Sequence, residues 1–104
     1  MPDLGDFFGY AKVSGTVVAG SATAVTVLPA NSRRTRVIFS NKSGGAWFIK
    51  FGGTATIGDY SVVVAGDSNY VHNAPIHSGT FSAIQAVATG SLMVTEFSTA
   101  ERNW

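Results

Sequence analysis

The chain has 104 residues, no cysteine and a formal net charge of +1. A chain of this length forms one domain that can bury a core without disulfides or metal, and the lack of cysteine excludes a disulfide framework, a thiol nucleophile and a cysteine-based metal site. The weak net charge sets no strong field toward nucleic acid or anionic lipid, and a composition of 45% hydrophobic but only 12% charged residues favours a protein that oligomerises or docks.

Residues 1–11 are predicted to form an extended N-terminal arm. Glycines and acidic residues interrupt its aromatic residues, which are Phe7, Phe8 and Tyr10. Aromatic side chains contribute strongly to interfaces, so these rings are expected either to pack on the protein's own domain or to become buried in a neighbouring subunit. The segment lacks a basic stretch followed by an apolar one, and no run is long and apolar enough to cross a membrane, so neither a secretory signal nor a membrane span is predicted.

From Lys12 onward, short runs rich in Val, Thr, Phe and Ile alternate with turn residues at a spacing of roughly eight to twelve residues. This spacing predicts an all-β fold, namely an antiparallel, jelly-roll-like β-sandwich of about eight strands over residues 12–97. Residues 98–104 form a polar tail, and its final Trp104 is expected either to stay loose or to dock on a neighbour. The predicted strands are Lys12–Val18, Ala22–Leu28, Thr35–Ser40, Ala46–Phe51, Tyr60–Val64, Asn69–His72, Phe81–Val87 and Leu92–Phe97.

The clearest alternation of apolar and polar residues lies within residues 34–54. Val37 and Phe39 alternate with residues of the opposite face, the run Asn41–Gly45 has turn chemistry, and a second alternating run follows. The pair Gly52-Gly53 then ends that run, because glycine offers no side chain to pack. The pattern predicts a β-hairpin.

Three of the predicted strands carry apolar residues on both faces, whereas a one-sided sheet is apolar on one face only. The outward-facing set is Ile38, Phe48 and Val63. If their strands are neighbours, these residues form a contiguous patch, and such patches mark contact sites. The alternative is that loops or the N-terminal arm cover them.

Arg33, Arg34 and Arg36 form the one local cluster of charge. Period-two geometry places Arg34 and Arg36 on one face of their strand and Arg33 on the other. One interpretation is a solvated strand entry in which Arg34 pairs with a carboxylate such as Glu96. The other is a rim that meets an acidic patch on a partner, since arginine binds carboxylates in a bidentate manner.

No pattern of catalytic or ligand-binding residues emerges. His72 and His77 are the two histidines, and they lack the further converging ligands that a zinc site needs. The chain has no nucleophile elbow, no phosphate-binding loop and no close carboxylate pair. Seven cations in the whole chain are too few for nucleic-acid binding. We therefore predict a protein without enzymatic activity, cofactor, metal or nucleic-acid partner.

The spacing of Arg34, Val37, Phe39 and Asn41 begins a longer pattern of strands and turns. Over residues 16–97 this pattern resembles small structural proteins of tailed-bacteriophage virions. The other segments that carry the resemblance are Phe48–Ala55, Val63–Gly66, Gly79–Ile84 and Val94–Glu96.

The resemblance implies a capsid decoration (cement) protein that is assembled into the virion in the host cytoplasm and bridges major capsid subunits. A homotrimer at capsid three-fold positions would suit such a role. Two alternatives stay open at this point. One is a tail, neck or fibre-base component that contacts other virion proteins. The other is a carbohydrate or host-receptor binding module that stacks its ligand on Trp47, Tyr60, Tyr70 or Trp104.

Overall fold

The computed structural model describes residues 11–99, which form two four-stranded antiparallel sheets. The strands are β1 (Ala11–Ala19), β2 (Val25–Leu28), β3 (Arg34–Asn41), β4 (Trp47–Phe51), β5 (Val62–Val64), β6 (Asn69–His72), β7 (Phe81–Ile84) and β8 (Ser91–Thr99). Sheet A has the strand order β1-β8-β3-β6, and sheet B has the order β2-β7-β4-β5. This order is that of an eight-stranded jelly roll, so the predicted fold class is confirmed. Within these residues no helix is long and apolar enough to cross a membrane.

The predicted β-hairpin is wrong, although both of its strands exist. β3 lies in sheet A between β8 and β6, whereas β4 lies in sheet B between β7 and β5. The connection at residues 42–46 therefore crosses from one sheet to the other. Strand alternation shows which residues face inward, but it does not distinguish a neighbour in the same sheet from a strand in the facing sheet. The second strand does end at Gly52 and Gly53, which have positive φ angles of 78° and 73°.

Four predicted boundaries differ by more than one residue, and one of them is the start of β5, which lies at Val62 and not at Tyr60. β2 begins at Val25, because Ser21 and Thr23 form a local turn in which Ser21 Oγ accepts the amide of Thr23 at 3.1 Å. β7 ends at Ile84, and the backbone amide of the following residue, Gln85, donates to the carbonyl of Ser21 instead. β8 continues to Thr99 and pairs with β1 along its whole length, so residues 98 and 99 belong to the sandwich and not to the tail.

The core lies between the two sheets and is formed by the inward-facing residues of both. Trp47, Phe39 and Phe81 are the largest fully buried side chains. Burying each large apolar side chain is worth about 1.5–3 kcal/mol. Partly buried residues surround this centre. The buried apolar cluster comprises Val27, Leu28, Val37, Phe39, Trp47, Ile49, Val64, Phe81, Ala83, Leu92 and Val94.

One end of the sandwich is held together by the side chain of Asn41, the last residue of β3. Asn41 is 1% exposed, and its Nδ2 donates to the carbonyls of Gly45, Val64 and Ala65 at 2.8, 2.9 and 3.1 Å. Its Oδ1 accepts the amide and the hydroxyl of Ser43. Asn41 thereby joins the end of a sheet A strand to the carbonyl of Val64, the last residue of β5 in sheet B.

Gln85 extends this network to the remaining loops at the same end. Its Nε2 donates to Ser43 Oγ at 3.2 Å, and its Oε1 accepts the amides of Ser21 and Thr89. Gly90 completes the packing, with a φ of 59° and an added Cβ that would lie 2.3 Å from the Cβ of Ser43. A side chain at position 90 would therefore clash as well as strain the backbone.

We expect Asn41→Ala to lower the free energy of unfolding by about 3 kcal/mol, because it leaves several buried backbone groups without a partner. Asn69→Ala is the matched control. Asn69 is exposed and accepts one hydrogen bond from Ser40 Oγ, so its loss should cost under about 1 kcal/mol. Urea denaturation measures both values. Equal destabilisation by the two variants would contradict the proposed role of Asn41.

Candidate functional site

The outer face of sheet B carries an apolar patch centred on Phe48. On β4, Phe48 lies directly between Val63 of β5 and Ile84 of β7, and its ring packs against Tyr60 with centroids 4.9 Å apart. Val63 is 46% exposed, whereas Phe48 and Ile84 are partly buried. The structure therefore brings together two of the three residues that were predicted to face outward.

This patch, which we call the Phe48 patch, continues toward the Asn41 end of the sandwich. A shallow cavity of about 250 Å³ lies there, lined by Phe48, Val87 and small neighbours. Val87 is 74% exposed. On the other side, the β4–β5 loop covers part of sheet B, because the amide of buried Ala55 donates to Ser82 Oγ at 2.7 Å. The loop covers the neighbourhood of Ser82 and leaves Val63 and Val87 open.

Ile38 lies on the opposite side of the molecule, so the prediction that it joins Phe48 and Val63 is wrong. Because β3 belongs to sheet A, Ile38 stands between Val71 of β6 and Thr95 of β8 on the outer face of that sheet. Further apolar pairs flank it, with Val13 opposite Phe97 and Val17 opposite Met93. Val17 is 62% exposed. We call this set the Ile38 face, comprising Val13, Val17, Ile38, Val71, Met93 and Phe97.

The sequence pattern suggested that Arg34 lies at a solvated strand entry or rim. In the structure it is only 3% exposed and lies inside the sandwich. The predicted pairing with Glu96 is present, with Nε 2.8 Å from the carboxylate. The remaining guanidinium nitrogens donate to the carbonyls of His77, Gly79 and Pro29 at 2.7–2.8 Å. Because its donors are used internally, Arg34 is not available to a partner protein.

A β-bulge explains why Arg34 and Arg36 do not share a face. Arg34 lies opposite Ser98 and Arg36 opposite Phe97, so two residues on β3 span one residue on β8. The extra residue reverses the alternation and turns Arg36 outward, where its guanidinium lies 5.7 Å from the ring centroid of Phe97. Arg33 is exposed in the preceding turn. Of the arginine cluster, Arg36 thus borders the Ile38 face.

The remaining predicted contact residues differ in where they lie. Trp47 is 0% exposed in the core, so it cannot stack on a sugar. Tyr60 is exposed in the Phe48 patch, and Tyr70 is partly buried on β6. The predicted contact residues Phe7, Phe8, Tyr10 and Trp104 lie outside the described residues.

The two histidines are linked at the Arg34 end of the sandwich, which sequence spacing did not indicate. His72 is buried on β6, and its Nε2 accepts the amide of His77 at 2.9 Å. His77 Nε2 lies 3.0 Å from the carbonyl of Thr80. Both rings pack against Phe81, with centroids 5.6 and 5.1 Å away. Within residues 11–99, no three His, Asp or Glu side chains are grouped as metal ligands would be.

Protonation of His72 should destabilise the fold. Burial lowers the pKa of His72 from its ordinary value of 6.5, and the nearby His77 and Arg34 lower it further. The unfolded chain therefore binds a proton at a higher pH than the folded protein, so stability falls as the pH drops below about 6.5. His72→Gln retains an acceptor for the His77 amide but does not titrate.

Urea denaturation between about pH 5 and 6.5 tests this expectation. The free energy of unfolding should decline more steeply with falling pH in the wild type than in His72→Gln. His77→Gln serves as the control for loss of the other imidazole. Parallel curves for the wild type and His72→Gln would show that His72 is not the group responsible.

Comparison with known proteins supports the fold. No protein-family model and no curated protein matches the chain. A solved structure of Bacillus endospore appendages, described as a novel family of disulfide-linked pili, has a similar fold with a TM-score of 0.57. The match covers 88% of this chain and 88% of that one at 18% sequence identity. The β-sandwich is thus also found in a subunit of an assembled bacterial appendage.

Proposed function

We propose that this protein is a non-enzymatic structural subunit that packs against other subunits through the outer faces of its two sheets. The observation that carries the proposal is the presence of large exposed apolar residues on opposite sides of one small domain. Val13, Val17 and Val71 are exposed on sheet A, and Val63 and Val87 are exposed on the sheet B side. Exposed apolar patches of this kind are typical of contact sites, and two of them allow one subunit to contact two neighbours.

The specific role we propose is capsid decoration in a tailed phage, in which the subunit bridges major capsid proteins. The pattern from Arg34 to Glu96 that resembles virion proteins supports this role, as does the jelly-roll order of the strands. Many modest contacts, repeated over a shell, would add up to a large stabilisation. A trimer in which one of these faces contacts a different surface of the next subunit would close by cyclic symmetry.

A second candidate is a fibre subunit, and the likeness to the endospore appendages favours it. Two different faces on opposite sides make a heterologous contact possible, and such contacts build open filaments when the rotation does not close. The chain has no cysteine, so a filament of this protein would depend on packing between faces and not on disulfide links between subunits.

Glutamate substitutions test the two faces separately. Phe48→Glu and Met93→Glu place a charge in the Phe48 patch and in the Ile38 face, and we expect each to weaken association by about 2 kcal/mol, or about 30-fold, at its own interface. Val63→Glu repeats the first test at a more exposed position, in case Phe48→Glu perturbs folding. Ser32→Glu, on an exposed turn, is the control for added charge.

Sedimentation velocity measures the association of these variants, and thermal unfolding verifies that they are folded. Electron microscopy of the purified protein and a pull-down with assembled and unassembled major capsid protein then separate the two roles. Binding to assembled shells alone supports decoration, whereas filaments of the protein alone support a fibre subunit. Folded patch variants that associate as well as the wild type would refute the packing proposal.

A further inference from the structure

An open recess of about 470 Å³ lies at the Arg34 end of the sandwich. Its volume is in the range of sites that hold small molecules. Aromatic rings form much of its wall, with Phe51 and His77 nearly parallel at a centroid distance of 5.8 Å and an interplanar angle of 21°. Tyr70 and His72 contribute from β6, and the segment Ala74–Ile76 closes the side.

The hydrogen bonds in this recess determine which polar atoms face a ligand as donors. His72 Nε2 accepts the amide of His77, so the proton of the neutral imidazole lies on Nδ1. This Nδ1–H donates to Tyr70 Oη, which lies 3.3 Å away. Tyr70 therefore accepts from His72, and its own hydroxyl hydrogen has no acceptor among the described residues.

His77 supplies a complementary acceptor. Its Nε2 lies 3.0 Å from the carbonyl of Thr80. Because a carbonyl can only accept, Nε2 carries the proton and Nδ1 is left as an acceptor. The recess is thus bordered by a hydroxyl donor, an imidazole acceptor and aromatic walls.

The recess favours a ligand without formal charge. None of the described residues that line it is Asp, Glu, Lys or Arg. The nearest guanidinium, that of Arg34, is already bonded to Glu96 and to three backbone carbonyls. Nothing in this lining would compensate the desolvation of an ionised ligand.

We propose that this recess binds a single neutral sugar ring, with an apolar face of the pyranose against Phe51 and a hydroxyl accepting from Tyr70. A sugar matches the two properties of the site, since its C–H faces pack on aromatic rings and its hydroxyl groups both donate and accept. An aromatic side chain of a partner protein would fill the same walls but would leave the Tyr70 hydroxyl without an acceptor. This activity is separate from the packing of the sheet faces.

The test titrates the full chain with D-glucose, D-galactose, D-mannose and N-acetyl-D-glucosamine and measures the backbone amide chemical shifts by NMR. At least one sugar should bind with a dissociation constant in the millimolar range and shift the amides of residues 70–77. Tyr70→Phe removes one hydroxyl and should weaken that binding about 10-fold. Tyr60→Phe makes the same change in the Phe48 patch and should have no effect. Ile76→Trp, which fills the recess, should abolish binding.

Three results would overturn the proposal. One is that no sugar in the panel shifts these amides at concentrations of about 50 mM, well above a millimolar dissociation constant. The second is that Tyr70→Phe binds as tightly as the wild type. The third is that indole, a substitute for the aromatic side chain of a partner protein, shifts residues 70–77 while the sugars do not, since that would make the recess a protein-docking pocket.

Discussion

The structure depends on a buried guanidinium at the start of its central strand. Arg34 donates to the carboxylate of Glu96 and to backbone carbonyls in the loops that follow β2 and β6. Its guanidinium carbon lies 4.8 Å from the ring centroid of Phe81. A buried charge is tolerated only when it is paired and hydrogen-bonded, and removing one partner of such a pair costs about 3–5 kcal/mol. The loops at this end are therefore held in the positions in which their carbonyls accept from Arg34.

Asn41 does the same at the other end of β3. Between them, these two side chains bind the loops of both sheets, and the apolar residues between them, Val37 and Phe39, are fully buried in the core. Both ends of the sandwich thus have networks of internal hydrogen bonds, although the buried Trp47 Nε1, near the Asn41 end, has no partner among the described residues. The Phe48 patch and the Ile38 face leave large apolar side chains exposed to water, and this is why we propose them as contact surfaces.

Much of the fold could be predicted from the order of short runs and turns in the sequence. Runs rich in Val, Thr, Phe and Ile, separated by turn residues, located all eight strands. The sequence pattern did not show which strands pair with one another. The loop after Asn41 has hairpin chemistry, yet Asn41 Nδ2 bonds to the carbonyl of Val64 in the other sheet. This contact joins residues far apart in the chain, so a local sequence pattern does not contain it.

The candidate site was harder to predict for the same reason. The pairing of Arg34 with Glu96 was predicted. The bulge before Arg36 adds one residue, so that Arg34 and Arg36 face opposite sides of the sheet, and no local sequence pattern indicated this bulge. Ile38 and Phe48 were both correctly expected to face away from the core. Their separation onto opposite sides follows from the strand order, which depends on long-range contacts.

Hydroxyl-radical footprinting of the dispersed and the assembled protein, with mass spectrometry as the readout, tests the central claim most directly. Oxidation of exposed side chains reports which surfaces become covered, and methionine is readily oxidised. The account predicts protection of Met93 on the Ile38 face and of Tyr60 in the Phe48 patch, both of which are exposed in the single subunit. Protection confined to the loops at the two ends of the sandwich, with Met93 and Tyr60 still fully reactive, would contradict it.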